Sequence, residues 1–129
     1  MTRAVDQSRA ANYMTKAENS LRIARIALHE KAYDTAVMDA VHSSINALDA
    51  LTTFYSGKRS SGQHTDVLDL IKGILTNEEF EYVKKQFKGL MSRKNESEYQ
   101  PTLMNDKDAG DAILRAERIL NKVKTKIKK

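Results

Sequence analysis

Apolar residues recur along this chain at three- and four-residue steps with no sustained alternation, which is the period of helices rather than strands. The clearest stretch is Asp34 to Tyr55, DTAVMDAVHSSINALDALTTFY, about six turns of helix without a Lys or Arg. Two adjacent stripes run along it: Val37, Val41, Ser44, Leu48, Leu51 and Tyr55, and beside them Ala36, Ala40, Ser43, Ala47, Ala50 and Phe54. A helix apolar over so wide an arc is expected to be buried at the centre, with Ala and Ser keeping one side flat enough for a close neighbour. Before it, Ala10, Met14, Ala17, Leu21, Ala24 and Leu28 predict a first helix over about Gln7 to Lys31. Asp34 is the expected N-cap of the second helix, and the short link makes the two helices antiparallel neighbours.

Gly57 to Gly62, GKRSSG, reads as a polar, flexible loop. A shorter helix follows over about Thr65 to Leu75, with Val67, Leu68, Ile71, Ile74 and Leu75 inward. Thr76-Asn77-Glu78-Glu79 has the spacing of a capping box and starts a fourth helix, whose inner face is Phe80, Val83, Phe87 and Leu90. Periodicity stops from Arg93 to Asn105, and Pro101 disfavours helix at Gln100, so this stretch is expected to be a second loop and the best place for a site. The last helix begins at Asn105 or Asp106 and buries Ile113, Ala116, Leu120, Val123 and Ile127. The expectation is an all-α, up-and-down bundle of four to five helices in one domain over 1–129, its basic C-terminal end fraying from about 121.

Composition narrows the chemistry. The absence of Cys excludes disulfides, thiol nucleophiles and cysteine metal sites, and fits a reducing, cytoplasmic setting. No apolar run approaches the roughly 20 residues needed to span a bilayer, so no membrane role is expected. The three histidines, His29, His42 and His64, lack ligand spacing, so neither metal nor cofactor is expected. The net charge of +5 is concentrated at the end, where residues 122–129 hold five Lys and no acid. Arg115, Arg118, Lys122, Lys126 and Lys129 fall on one face of the last helix, a stripe that could track a nucleic-acid backbone or be a solvated face. Lys84, Lys85 and Lys88 would extend it if the fourth and fifth helices were adjacent.

Taken together, Tyr13, Ala17, Leu21, Ala24 and Leu28, then Tyr33-Asp34-Thr35-Ala36-Val37, then Ala40 to Leu51, resemble HEPN domains, the higher eukaryotes and prokaryotes nucleotide-binding family. The resemblance implies a small helical bundle that pairs as a homodimer, binds RNA or a nucleotide, or cleaves RNA, and works beside a partner such as a nucleotidyltransferase. Catalytic members carry an Arg, four to six residues, then a His where two protomers meet. The matching Arg here is Arg93, but Glu98 or Tyr99 stands at the His position and no His follows His64. The resemblance therefore implies a binding module without catalysis, in which Arg93, Lys94 and Asn95 meet phosphate and Tyr99 stacks on a base, with Arg115, Arg118, Lys122 and Lys126 continuing the surface. The alternatives are an atypical metal-independent ribonuclease or toxin using Arg93 with Glu98 or Tyr99, and a purely protein-binding bundle. In the plainest structural reading Tyr99 plugs the bundle end while Arg93 and Glu98 pair on the surface.

Overall fold

The computed structural model describes residues 2–60 and 64–127, with the backbone alone at 64 and 65. Its elements run β1 (Thr2–Ala4), a short 3-10 turn (Gln7–Arg9), α1 (Ala10–His29), α2 (Tyr33–Ser56), β2 (Lys58–Ser60), α3 (His64–Lys72), α4 (Asn77–Tyr99) and α5 (Asp106–Lys126). The all-α bundle is as expected, and α2 is the rod at its centre, in contact with each of the other four helices. Ala36, Val37, Ala40, Val41, Ala47, Leu48 and Leu51 are all buried. The small side chains let α1 approach so closely that the Ser43 hydroxyl donates to the Ala17 carbonyl across the pair at 2.7 Å. Ser44 and Thr52 bond back to α2's own carbonyls at Val41 and Asp49, so these hydroxyls enter the core with partners.

Phe54 and Tyr55 depart from the stripe that contains them. Phe54 is 38% exposed, on the wall of a groove that it shares with Ala11 and Met14 of α1 and with Lys124 and Ile127. The Tyr55 hydroxyl donates instead to the Lys126 carbonyl, satisfying one of the carbonyls left open at the end of α5. Beyond Gly57, whose φ of 63° closes α2 with an N–H to Thr53, the expected loop is in part a strand. Lys58–Ser60 pairs antiparallel with Thr2–Ala4, Thr2 opposite Ser60 and Ala4 opposite Lys58, and the Val5 N–H adds a bond to the Gly57 carbonyl. Two three-residue strands carry no readable period, so the pairing comes from long-range geometry. Gly62 lies outside the described residues.

Asp34 does not cap α2. The helix starts at Tyr33 behind Ala32, whose side chain offers no acceptor, and the Ala36 N–H bonds the Ala32 carbonyl. The Asp34 carboxylate, now in the first turn, accepts from the Ser97 hydroxyl at 2.8 Å and the Met104 N–H at 3.1 Å. One acid thus ties the start of α2 to the end of α4 and to the segment leading into α5.

The capping box expected at Thr76 is in place, and the structure adds a second one at the start of α5. Thr76 accepts from the Glu79 N–H while Glu79 accepts from the Thr76 N–H, and Asn105 and Asp108 repeat the exchange at the start of α5. The stretch from Arg93 is the main correction to the architecture, since α4 runs on to Tyr99. Its last two turns lack an apolar stripe because charge holds them: Lys94 pairs with Glu98 one turn on at 3.0 Å, and Arg93 ties the helix to α5. Pro101 acts as expected, with Gln100 turned to extended backbone at ψ 144°. At the other end, α5 stays helical through Lys126 over a buried Val123, so the fraying expected from 121 does not occur up to that point.

Candidate phosphate-binding cleft between helices 4 and 5

Helices α4 and α5 lie side by side, and the faces they turn to each other carry Arg93, Arg115, Arg118, Lys122 and Lys126 of the candidate residues. The seam starts at the α4 N-terminus, where Lys126 bridges to Glu79 at 3.0 Å. The Glu79 carboxyl is held below the usual carboxylate range by the Thr76 N–H and the Lys126 ammonium. One turn further, the Lys122 ammonium lies over the Tyr82 ring, 5.8 Å from its centroid. Next comes Arg118, which reaches only the neutral Gln86 amide oxygen at 3.4 Å. Arg115 then rests on Gly89: a β-carbon there would sit 2.5 Å from the guanidinium carbon, so the missing side chain is what admits it. The Arg115 Nε donates to Asp111 at 3.0 Å.

Arg93 closes the seam, engaged on three sides by acids. Its Nη1 lies 2.9 Å from Asp108 and 3.9 Å from Glu96, and its Nε lies 3.4 Å from Asp111. The expected surface pair with Glu98 is absent, because Glu98 is taken by Lys94. Tyr99 does not plug the bundle end; it is 73% exposed at the last turn of α4, and Asn95 is exposed on the outer face. Arg93, Lys94, Asn95 and Tyr99 therefore belong to a helix end, and the cation among them that the family pattern singles out is already neutralised.

The seam differs toward the N-terminal end of α4. There a cleft of about 690 Å³ opens between the two helices, with Tyr82 on one wall and Arg118, Asn121, Lys122 and Thr125 on the other. Glu78 at the rim and Glu79, already held by Lys126, are its acidic lining. Among the described residues neither Arg118 nor Lys122 is paired with a carboxylate, and Lys85 and Lys88 on the exposed side of α4 have none either. The basic stripe is thus split: its ends at Arg115 and Lys126 are ion-paired, and its centre at Arg118 and Lys122 holds uncompensated charge. Lys129 lies outside the described residues. Tyr82, which sits one position off the stripe of Val83 and Phe87, carried no signal in the sequence; only the adjacency of α5 gives it a place.

Among the described residues no group of three His, Asp or Glu side chains is arranged to hold a metal ion, and no helix is long and apolar enough to cross a membrane. His42 is exposed on α2, and neither it nor His29 bonds to Arg93. The His64 side chain lies outside the described residues.

The arrangement of helices recurs in solved structures. TT1696 from Thermus thermophilus superposes with a TM-score of 0.70 at 21% identity, over 92% of this chain and 98% of its own. ST0689, an archaeal HEPN homologue, superposes with a TM-score of 0.71 at 25% identity, over 93% and 98%. No curated protein sequence matches the chain. A sequence model of the HEPN domain matches residues 10–126, from the first residue of α1 to the last of α5, and so takes in the buried α2 rod and the α4–α5 seam together. By that match and that fold, the chain belongs to the HEPN domain family.

Proposed function

We propose that this HEPN domain is a binding module that engages the phosphates of RNA or a nucleotide in the α4–α5 cleft and does not cleave RNA. The observation that carries the reading is the pair Arg118 and Lys122, one turn apart on the wall of the cleft and, among the described residues, without carboxylate partners. Binding a phosphate there breaks no internal salt bridge, whereas using Arg93 would cost its contacts with Asp108 and Asp111. The reading without cleavage is supported by the chemistry: attack by a 2′-hydroxyl without metal needs a group that moves a proton near neutral pH, and no His stands after Arg93 at the spacing of the family's catalytic pattern. Lys94, Asn95 and Tyr99 then serve as outlying contacts.

The test is fluorescence anisotropy of a labelled RNA in metal-free buffer, titrated with salt. The wild type is expected to bind with an affinity that falls steeply as salt rises. Replacing Arg118 and Lys122 together by Ala should weaken binding roughly tenfold or more and reduce the salt slope by about 0.7 per lost phosphate contact. RNA cleavage that disappears in Arg93→Ala would establish the ribonuclease alternative, and an unmoved anisotropy at low salt would favour a bundle that binds only protein. We also propose a homodimer, supported by Tyr99 and Leu103, which stand largely exposed, one in the last turn of α4 and one just beyond it. Light scattering at micromolar protein should give twice the 14.6 kDa of the chain, and a monomer mass overturns this.

A further inference from the structure

We infer that the α4–α5 cleft is a receptacle for one unpaired base of single-stranded RNA, stacked on Tyr82, with Arg118 and Lys122 on the phosphates that flank it. The inference rests on the phosphate-binding reading above and adds the base, the strandedness and the residue that selects for them. Tyr82 is 41% exposed on the wall of the cleft, and among the described residues its only ring contact is the Lys122 ammonium. A large ring left so open is unusual next to a packed seam, where an aromatic normally buries its faces. The contact that Lys122 makes is one a base can replace: the ammonium sits on a flexible four-carbon stem and can move from the ring to a phosphate while the base takes the ring face.

The other walls suit the rest of a nucleotide. Among the described residues Arg118 is held by a long hydrogen bond to Gln86 alone, so it gives up little in turning to a phosphate. Asn121, one residue before Lys122 on the cleft wall, carries both a donor and an acceptor for a base edge, and Thr125, whose hydroxyl donates to the Lys122 carbonyl at 2.6 Å, adds an acceptor. The volume of about 690 Å³ falls in the range of small-ligand sites, ample for one nucleotide and too small for a duplex. Stacking on a side chain requires a base free of its own stack, which a duplex does not offer. The acid inside the cleft does not oppose this, since Glu79 already accepts from Thr76 and Lys126; Glu78, at the rim, is the one repulsive group.

The experiment compares a labelled single-stranded oligouridylate with a duplex RNA of the same length, at one salt concentration, on the wild type, Tyr82→Ala and Tyr82→Phe. The single strand is expected to bind more tightly than the duplex to the wild type. Tyr82→Ala should lower single-strand affinity roughly tenfold while leaving the salt slope unchanged, and Tyr82→Phe should stay within about twofold of the wild type. Because Tyr82 lies outside the core, circular dichroism and melting of Tyr82→Ala should match the wild type, which separates lost stacking from lost fold. Equal binding of duplex and single strand, or a Tyr82→Ala variant that binds like the wild type, overturns the inference while the salt-dependent binding still stands. If the wild type binds neither RNA, the phosphate reading falls first and this inference with it.

Discussion

Leu48→Ala is expected to lower the free energy of unfolding by about 3–4 kcal/mol, whereas Phe54→Ala, six residues further along the same helix, should cost only about 1 kcal/mol. Leu48 is fully buried at the middle of α2, in a cluster to which all five helices contribute. Many residues of that cluster are alanines, among them Ala17, Ala24, Ala47, Ala112 and Ala116, and their short side chains cannot swing in to fill the space that Leu48 would leave. Both the lost transfer energy and the cavity then count in full, against a total stability on the order of 5–15 kcal/mol for a domain of this kind. Phe54 lies near the end of the rod on the wall of an open groove, edge-on to Tyr55 with ring centroids 5.0 Å apart, and already meets water. Urea denaturation of the two variants checks the contrast. Equal losses would mean that the end of α2 is covered in solution and that Phe54 is as much a core residue as Leu48.

Stability should also fall by roughly 2 kcal/mol as pH rises from 4 to 7, through one buried acid. Asp49 is 6% exposed on α2, and burial raises its carboxyl from 3.8 to about 6 against the opposing pull of Arg59 and of the Ser60 N–H and hydroxyl. Because the folded value lies above the unfolded one, the folded chain holds the proton more tightly. The stability that this gives is fully present below about pH 4 and is lost as pH climbs through about 6. The Ser60 hydroxyl reaches Asp49 only at 3.4 Å, and Thr53, one turn along, keeps a buried hydroxyl without a hydrogen-bond partner, so the pocket is poorly furnished for a charge. Glu79, held low by its cap and by Lys126, acts with the opposite sign: it contributes stability above the ordinary carboxylate range and loses it as pH falls through its lowered value. The two groups therefore work in separate windows. Melting temperature measured from pH 4 to 7.5 should decline for the wild type and stay nearly level for Asp49→Asn. A wild-type profile as flat as that of the variant would show that Asp49 is ionised in the fold at little cost.

Much of the site was hidden from the sequence for a reason visible at Arg93. The family pattern marks that residue, and its run of polar neighbours, RKNESEYQ, looks like a loop when only apolar periodicity is read. What makes it helix is pairing, part of it local between Lys94 and Glu98 and part of it to Asp108 and Asp111 on the next helix. The same pairing withdraws Arg93 from the available cations. Along α5 the regular spacing of Arg115, Arg118, Lys122 and Lys126 was legible as a single stripe, but which of the four still carries uncompensated charge depends on what α4 sets opposite each. Tyr82 shows the limit most clearly, because nothing about its own neighbours in sequence distinguishes it from a surface tyrosine.

The features determined within the chain's own short range are the ones that the sequence settled alone: the buried rod of α2, the inner stripes, the capping box at Thr76, and the stop before Pro101. Each depends on hydrogen bonds or spacings closed within about four residues, so the local text contains the whole interaction. The tertiary structure alone decided that the polar stretch from Arg93 continues α4, that Asp34 braces Met104 seventy positions away, that β1 finds β2, and which cations of α5 stand unpaired among the described residues. Those outcomes are set by which side chains the packing of α2 brings face to face, and a charge has no fixed worth until its opposite number is in place.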